Sequence, residues 1–560
     1  MTQDAPRVFD RRDALVAGVI FLVAFAIRAF HLYALSQNDP FYTIPSVDGA
    51  VYDAWAREIL GGDWLGEGVL FMGPGYPAFM TFVYATFGIS LPALKAVQVF
   101  LGAISCVLVW GLARDLFDRR AAALAGGFAV LHSMLIFYGG TVMVVNLQVP
   151  LVIGLCWALV RALRRPTHRG FALCGLLLGC SVLARQTVLL MAPIIALWIL
   201  FGMTVPSENE DSFQQRFAWG TTFGIVICLL IFPFTIKNYV AGNDLVLLNS
   251  TGGANFYMGN QRKANGTWQV PSIGTRTRID NPRAMQAAFS EVAERENGRE
   301  MKASEVSSYW LGRGVDEIKA DPLRWIRLEG RKLVLFLNQA EVWNNRSIEI
   351  SSNFSTILRL PLFGFGIITP LGLLGLGLSA RRWRELVPVY AALGAYLLSA
   401  MLFFVLSRYR MPAAILLAPF AGFALVEAYD RLRAKELRSV IQIGVLLLAL
   451  SALVHWPLPA ENRMHMAYYN LGNKFRELER WDEAIEAYRA SLERVPGAIS
   501  THNNLAVALE LSGRREEAIA SWKTVGALAT RRGDQRRIDR ATRHLRELGA
   551  IPPGQGDLPD

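Results

Sequence analysis

Apolar residues run in long blocks through the first 456 positions, broken by short polar stretches. Most blocks approach the ~20 residues that a helix needs to cross a hydrocarbon core. The runs at 14–34, 91–113, 121–138, 142–163, 170–184, 186–203, 217–236, 361–379, 386–406, 411–428 and 437–456 predict eleven membrane-crossing helices. A further apolar stretch, 75–88, has 14 residues, too few for an upright span, and reads as a re-entrant or interfacial piece. No small-residue cleavage site follows the first run, so that run reads as a retained span.

Two polar regions carry patterns of their own. The stretch 237–360 holds a Gly/Asn-rich turn segment at 250–260 and two predicted helices near 304–319 and 322–338, the second opening with Pro322 after Asp321. Arg324, Arg327, Arg331 and Lys332 fall on one side of that second helix, and Trp325, Leu328, Leu335 and Phe336 on the other. That pattern fits an interfacial helix or an ordinary amphipathic helix packed on its neighbours. Past 457 the chain repeats with a period of 34: Leu471, Ala484, Ile485 and Tyr488 recur as Leu505, Ala518, Ile519 and Trp522. With Gly472 and Pro496 in place, the tail resembles tetratricopeptide repeats, which implies a stack of helix hairpins offering a surface to a peptide or partner protein, or a structural cap. The expected organisation is a membrane domain at 1–456, repeats with a final helix at 464–549, and a disordered tail at 550–560.

Composition fits an all-α polytopic membrane protein: 53% of the 560 residues are hydrophobic and 18% charged, which excludes a soluble globule and a disordered chain. The net charge of +11 lies in short clusters between apolar runs, a pattern of membrane orientation and not of a nucleic-acid partner. With the N-terminus cytoplasmic, the inner segments hold Arg7, Arg11, Arg12, Arg114, Arg119, Arg120, Arg161, Arg164, Arg165, Arg169, Arg216, Arg381, Arg382, Arg384, Arg431, Arg433, Lys435 and Arg438, and the short outer segments only Arg57, Arg185, Arg408 and Arg410. This places 35–90, 237–360 and everything past about 457 outside. All five cysteines fall inside apolar runs, so neither a structural disulfide nor a thiolate metal site is expected.

The first outer loop carries Asp48, Tyr52, Asp53, Glu58 and Asp63, followed by Met72-Gly73-Pro74-Gly75-Tyr76-Pro77. An acid before a short helix beside a membrane cavity can take a proton from an attacking hydroxyl or amine, or simply cap the helix. Arg185, Arg408 and Arg410 sit at outer ends of spans, where a cation can hold a lipid phosphate or anchor at the interface. Lys237 and Lys332 are candidates of the same kind.

The order of these pieces resembles the polyprenyl-phosphate-sugar-dependent membrane glycosyltransferases of the GT-C group, which includes the protein O-mannosyltransferases and the aminoarabinose transferase of lipid A. Asp48 with Tyr52, Ala56 and Gly61-Gly62, then Pro74 to Pro77, Gly175 to Gly179, Leu183-Ala184-Arg185-Gln186-Thr187, Pro233 to Asn238 and Arg408-Tyr409-Arg410-Met411-Pro412 carry the resemblance. It implies Asp48 as catalytic base, and Arg185, Arg408 and Arg410 on the donor phosphate, with Tyr52, Asp53 and Glu341 as further binding residues. Two positions depart from the group: Asn146 stands where many relatives have a second acid, and Ser407 where many have His. No zinc-spaced His pair, phosphate loop, nucleophile elbow or dinucleotide fingerprint is present. No cofactor is called for, and a divalent metal is left open without a ligand cluster to support it.

The expected function is inverting transfer of a sugar, of the hexose or mannose type, from a polyprenyl-phosphate donor at the outer face of a bacterial inner membrane. Membrane lipid and a protein or peptide, met through the repeats, are the expected partners. Transfer to lipid A or another glycan is the alternative, and a non-catalytic assembly factor the second.

Overall fold

The computed structural model describes residues 9–45, 47–64, 66–202, 213–275, 277, 279, 281–343, 346–458 and 464–551; Arg7 and the expected tail from 552 onward lie outside them. The described residues are helical throughout, with two isolated bridges and no sheet. They form two compact units. One comprises Met1–Gln37, Pro45–Asn344 and Ser355–Pro457; the other gathers Asn38–Ile44, Asn345–Phe354 and Leu458–Asp560.

In the first unit every apolar block becomes helix, but not every block becomes a straight span. Six helices are long and apolar enough to cross a membrane: Arg11–Asn38, Leu91–Leu116, Val145–Arg164, Phe213–Gly242, Ala380–Leu402 and Leu437–Val454. Ser407–Leu416 and Ala418–Arg433, bent by 41° at their junction, make a seventh if taken as one. The protein is thus multi-pass. The block 121–138 divides into Arg119–Val130 and Ser133–Gly139. Phe363 fills that break, its N–H donating to Leu131 O at 3.0 Å while its carbonyl accepts from Ser133 N at 2.9 Å. Arg28, fully buried in the first span, donates to Ala129 O at 3.1 Å and Val130 O at 3.3 Å and so caps the first half. The block 186–203 passes from a 3-10 turn through an α-turn to a π-turn. His168–Ala184 and Phe365–Leu378 have 17 and 14 residues, and the stretch read as re-entrant is the 13-residue helix Gly75–Phe87.

Small residues let these helices touch. A Cβ on Gly175 would lie 2.7 Å from Phe223 O, and one on Gly179 2.5 Å from Leu230 Cδ1, so the Gly-x-x-x-Gly edge of His168–Ala184 seats on Phe213–Gly242. The arginines assigned to one side by sequence meet at one end of the bundle. Asp13 accepts from Arg114 at 3.2 Å and Arg119 at 3.1 Å, Asp115 from Arg161 at 2.8 Å, and Asp430 takes both Nη of Arg120 at 2.7 and 2.6 Å.

The segment at 250–260, read as a turn, is the helix Gly252–Asn260. Tertiary contact overrides its poor propensity: Cβ atoms on Gly253 and Gly259 would lie 1.7 Å from Ser307 O and 2.0 Å from Phe403 O. Its C-terminal carbonyls, Asn260 O and Gln261 O, accept from Arg324 at 3.1 and 3.0 Å. The two helices expected next are Ala303–Ala320 and Pro322–Leu337, with Asp321 capping the second. Pro282–Asn297 is an additional helix, capped by Asn281. The basic side of Pro322–Leu337 is not uniformly exposed, since Lys332 is buried and bonded to Glu329, Asn260 and Met401 O. Burial pushes the Lys332 ammonium below its usual range and the Glu329 carboxyl above its own, against the attraction between them.

The second unit stacks Met464–Glu477, Trp481–Arg494, Ile499–Leu511, Arg515–Thr530 and Gln535–Glu547. Gly472 lies so close to Tyr488 that a Cβ would meet the ring at 2.6 Å, which accounts for glycine at that point of the repeat. Ile551, expected in a disordered tail, is instead buried in the core with Trp522 and Leu545, carried there by the turn at Gly549 (φ 70°). Asp39 accepts from Arg346 at 2.7 Å, and the guanidinium of Arg346 lies 4.8 Å from the centroid of the Phe41 ring, with Lys474 Nζ 5.9 Å from the same ring.

Candidate functional site

Asp48 is the first residue of the helix Asp48–Leu60, and it is not that helix's cap. The cap position is Val47, a β-branched residue held at φ 50° with no side-chain hydrogen bond to relieve it. Backbone strain of this kind persists where the surroundings over-determine it, commonly at functional sites. The helix start is pressed onto the turn before the Val145–Arg164 span: a Cβ on Gly49 would lie 3.2 Å from Val142 O.

The Asp48 carboxylate, 12% exposed, pairs with Nη1 of Arg408. Arg408 stands at the head of Ser407–Leu416, whose first N–H, that of Ser407, donates to Val342 O at 2.8 Å. Met143 Sδ lies 3.2 Å from the same Nη1, Nη2 reaches Tyr409 Oη at 3.4 Å, and the buried Nε–H has no acceptor among the described residues. The Arg185 guanidinium stacks 3.3 Å from the centroid of the Tyr409 ring. Arg185 caps the C-terminus of His168–Ala184. Its place is fixed from the first loop, because Cβ atoms on Gly73 and Gly75 would lie 2.7 Å from Leu183 O and 2.6 Å from Ala184 N. Three segments far apart in sequence thus deliver one acid, two guanidiniums and the phenol between them.

This cluster lies at the end of the bundle opposite the arginine–aspartate pairs. The Val145–Arg164 span, about 30 Å long by its 20 residues, carries Met143 just before its start and Arg161 in its last turn.

The other expected residues divide. Tyr52 is buried edge-on to Tyr76 at 5.0 Å; burial, then the Asp48 charge, pushes its hydroxyl well above the usual phenol range, so it stays neutral. Asp53 faces elsewhere, accepting from Tyr84 Oη at 2.5 Å and Arg57 Nε at 2.9 Å. Arg410 is buried among carbonyls: Nη1 donates to Leu335 O at 2.8 Å and Asn338 O at 2.7 Å, and Nη2 to Ala340 O at 2.6 Å and Glu341 at 3.1 Å. Arg410 and Glu341 therefore fasten the end of Pro322–Leu337 to Ser407–Leu416. Lys237 donates to Gly68 O at 2.7 Å. The Asn146 amide donates to Tyr138 O at 2.8 Å and Thr141 O at 3.0 Å, two acceptors that a carboxylate could not serve. Tyr409 and Met143 were not singled out from sequence; the only signal for Tyr409 is its position between two expected cations. Among the described residues the group that could hold a metal ion is Glu510, His544 and Glu547, in the repeat unit.

Residues 72–236 match the dolichyl-phosphate-mannose-protein mannosyltransferase family, a GT-C glycosyltransferase family, and residues 465–498 match the tetratricopeptide repeat. The matched stretch contains Arg185 and the Gly73–Gly75 turn; Asp48 and Arg408 lie outside it. No curated protein sequence matches the chain. Solved structures similar to it include the oligosaccharyltransferase of Archaeoglobus fulgidus in complex with an inhibitory peptide and a dolichol-phosphate, at 13% identity and TM-score 0.44, covering 84% of this chain and 59% of that one. ArnT from Cupriavidus metallidurans bound to undecaprenyl phosphate is similar at 12% identity and TM-score 0.33, covering 75% of this chain and 78% of that one. The chain therefore spans less than two thirds of the length of the archaeal enzyme.

Proposed function

We propose that this protein is a glycosyltransferase of a bacterial inner membrane that moves a sugar from a polyprenyl-phosphate donor to a protein acceptor on the outer face. The observation that carries the reading is the meeting of Asp48 with Arg408 and, through Tyr409, with Arg185, in a chain whose 72–236 stretch belongs to a lipid-phosphate-sugar transferase family. Arg185 and Arg408 hold the donor phosphate. Asp48 takes the proton of the acceptor hydroxyl as its oxygen attacks the anomeric carbon from the face opposite the phosphate, with inversion. The bond from that carbon to the phosphate oxygen breaks, and its electron pair leaves on the polyprenyl phosphate, whose second negative charge the guanidiniums stabilise. Tyr52 packs beneath the acid, and Arg410 with Glu341 acts at one remove by fixing the segment that precedes Val342. The repeats at 464–549 serve to present the acceptor.

The test is mass spectrometry of envelope glycoproteins and of polyprenyl-phosphate sugars in cells with the wild-type protein, a deletion, or Asp48→Asn. Loss of one hexose-type modification with accumulation of its lipid donor in both mutants is the expected result. An unchanged protein pattern with altered lipid A or polysaccharide moves the acceptor to that class. If neither donor nor product changes, the enzyme reading is abandoned for an assembly role.

A further inference from the structure

The base proposed for the transfer is not free. Asp48 is bonded to Arg408, the same guanidinium that the reading assigns to the donor phosphate, and the pair is nearly sealed from water, with side chains 12% and 9% exposed. While it is bonded to Arg408, Asp48 Oδ2 is engaged rather than presented to an acceptor hydroxyl, and an arginine held by a carboxylate is a poor phosphate ligand. Arg408 nevertheless keeps bonding capacity in reserve, because its buried Nε–H has no acceptor among the described residues. Its neighbour Arg185 rests on the ring of Tyr409. Both cations therefore touch one residue, Arg185 over the Tyr409 ring and Arg408 through Nη2 at its hydroxyl. An anion with several oxygens arriving beside Tyr409 can engage Arg185 and Arg408 together, whereas Asp48 engages Arg408.

We infer that the Asp48–Arg408 pair is an interlock that makes the donor bind first: the phosphate of a polyprenyl-phosphate lipid displaces Asp48 from Arg408, and that exchange releases the carboxylate to accept the proton of the acceptor. The inference rests on the proposed transferase reading. With donor absent, Asp48 stays bonded to Arg408. Tyr409 is the positioning residue of the device, because both guanidiniums touch it. Only Arg408 is contested between acid and phosphate.

The full-length protein in detergent, titrated with undecaprenyl phosphate, tests it. Removing the competing charge with Asp48→Asn is expected to tighten binding at least about threefold, since the competent fraction of Arg408 rises toward one. Arg408→Gln is expected to weaken it about tenfold, and Asp48→Asn in the Arg408→Gln background to produce no gain. Asp48→Asn binding no tighter than wild type, while Arg408→Gln binds more weakly, overturns the interlock and leaves the phosphate site standing. Wild-type binding by both Arg408→Gln and Arg185→Gln instead removes the phosphate site, and with it the transferase reading. A measurement on the unmutated protein covers the case in which Asp48→Asn fails to fold. Undecaprenyl phosphate is expected to speed the labelling of Asp48 by dicyclohexylcarbodiimide, read by peptide mass spectrometry, and slower or unchanged labelling sinks the interlock.

Discussion

Two arginines separated by a single tyrosine have opposite surroundings. Arg408 meets a carboxylate and a phenol, whereas Arg410 spends both terminal nitrogens on four backbone carbonyls and Glu341; the Nε–H of each is buried with no acceptor among the described residues. Replacing Arg410 by Lys strands several buried acceptors, since an ammonium cannot reproduce the fork. A loss of about 3–5 kcal/mol is expected. It should be read as a lowered midpoint of thermal unfolding, with the KM for donor in the surviving folded protein near wild type. Arg408→Lys is expected to do the reverse, raising the KM for donor with little change in the midpoint. Sequence could place both residues at the outer end of a span, because that depends on local hydropathy. It could not tell them apart, because the partners of Arg410 lie about 70 positions upstream and the acid of Arg408 lies 360 upstream. Asn146 follows the same logic. In sequence it reads as a missing acid, whereas in the fold its amide is a double donor, and Asn146→Asp is expected to cost about 2–4 kcal/mol and add no activity.

Among the elements, hydropathy located the helices well and their interruptions poorly. The break at Leu131 depends on Phe363 and Arg28, and neither signal is local. Helix Gly252–Asn260 exists because its glycines admit the backbones of Ser307 and Phe403, which composition reads as a turn. The Gly73–Gly75 turn shows what such contacts do for the site. It touches the last residues of His168–Ala184, one step before Arg185, at distances no side chain tolerates. Gly75→Ala must therefore push that helix end away, and a cost of about 1–3 kcal/mol is expected together with a displaced Arg185. Its measurable sign is a raised KM for donor at unchanged expression. Gly224 provides the control, because nothing lies within 4 Å of the Cβ it lacks, in the middle of Phe213–Gly242. Gly224→Ala is expected to leave transfer intact and to stabilise by roughly 0.5–1 kcal/mol.

Across the whole molecule, the repeat stack is not built from the tail alone. A solenoid needs something at its ends to cover the face that a missing repeat leaves open. Here the unit draws in Asn38–Ile44, which ends four residues before Asp48, and Asn345–Phe354, which begins four after Glu341. The period of 34 made the repeats legible, but the recruitment of these two segments was not, since the pair that joins them spans 307 positions. That pair, Arg346 with Asp39, has side chains 10% and 0% exposed and is overlaid by Phe41. Breaking one side leaves a buried charge alone, so Arg346→Met is expected to cost the unit about 3–5 kcal/mol, whereas replacing both partners by apolar residues removes the stranded charge with the bond. The double variant Asp39→Leu with Arg346→Met is accordingly expected to be more stable than either single one. Tryptic protection of 464–551 in the full-length protein reads this directly, because the stack is rich in arginine. Equal or additive losses would mean that the two segments are held by packing around Phe41 and not by the ion pair, whereas recovery in the double variant would identify the pair as what fastens the two segments to each other.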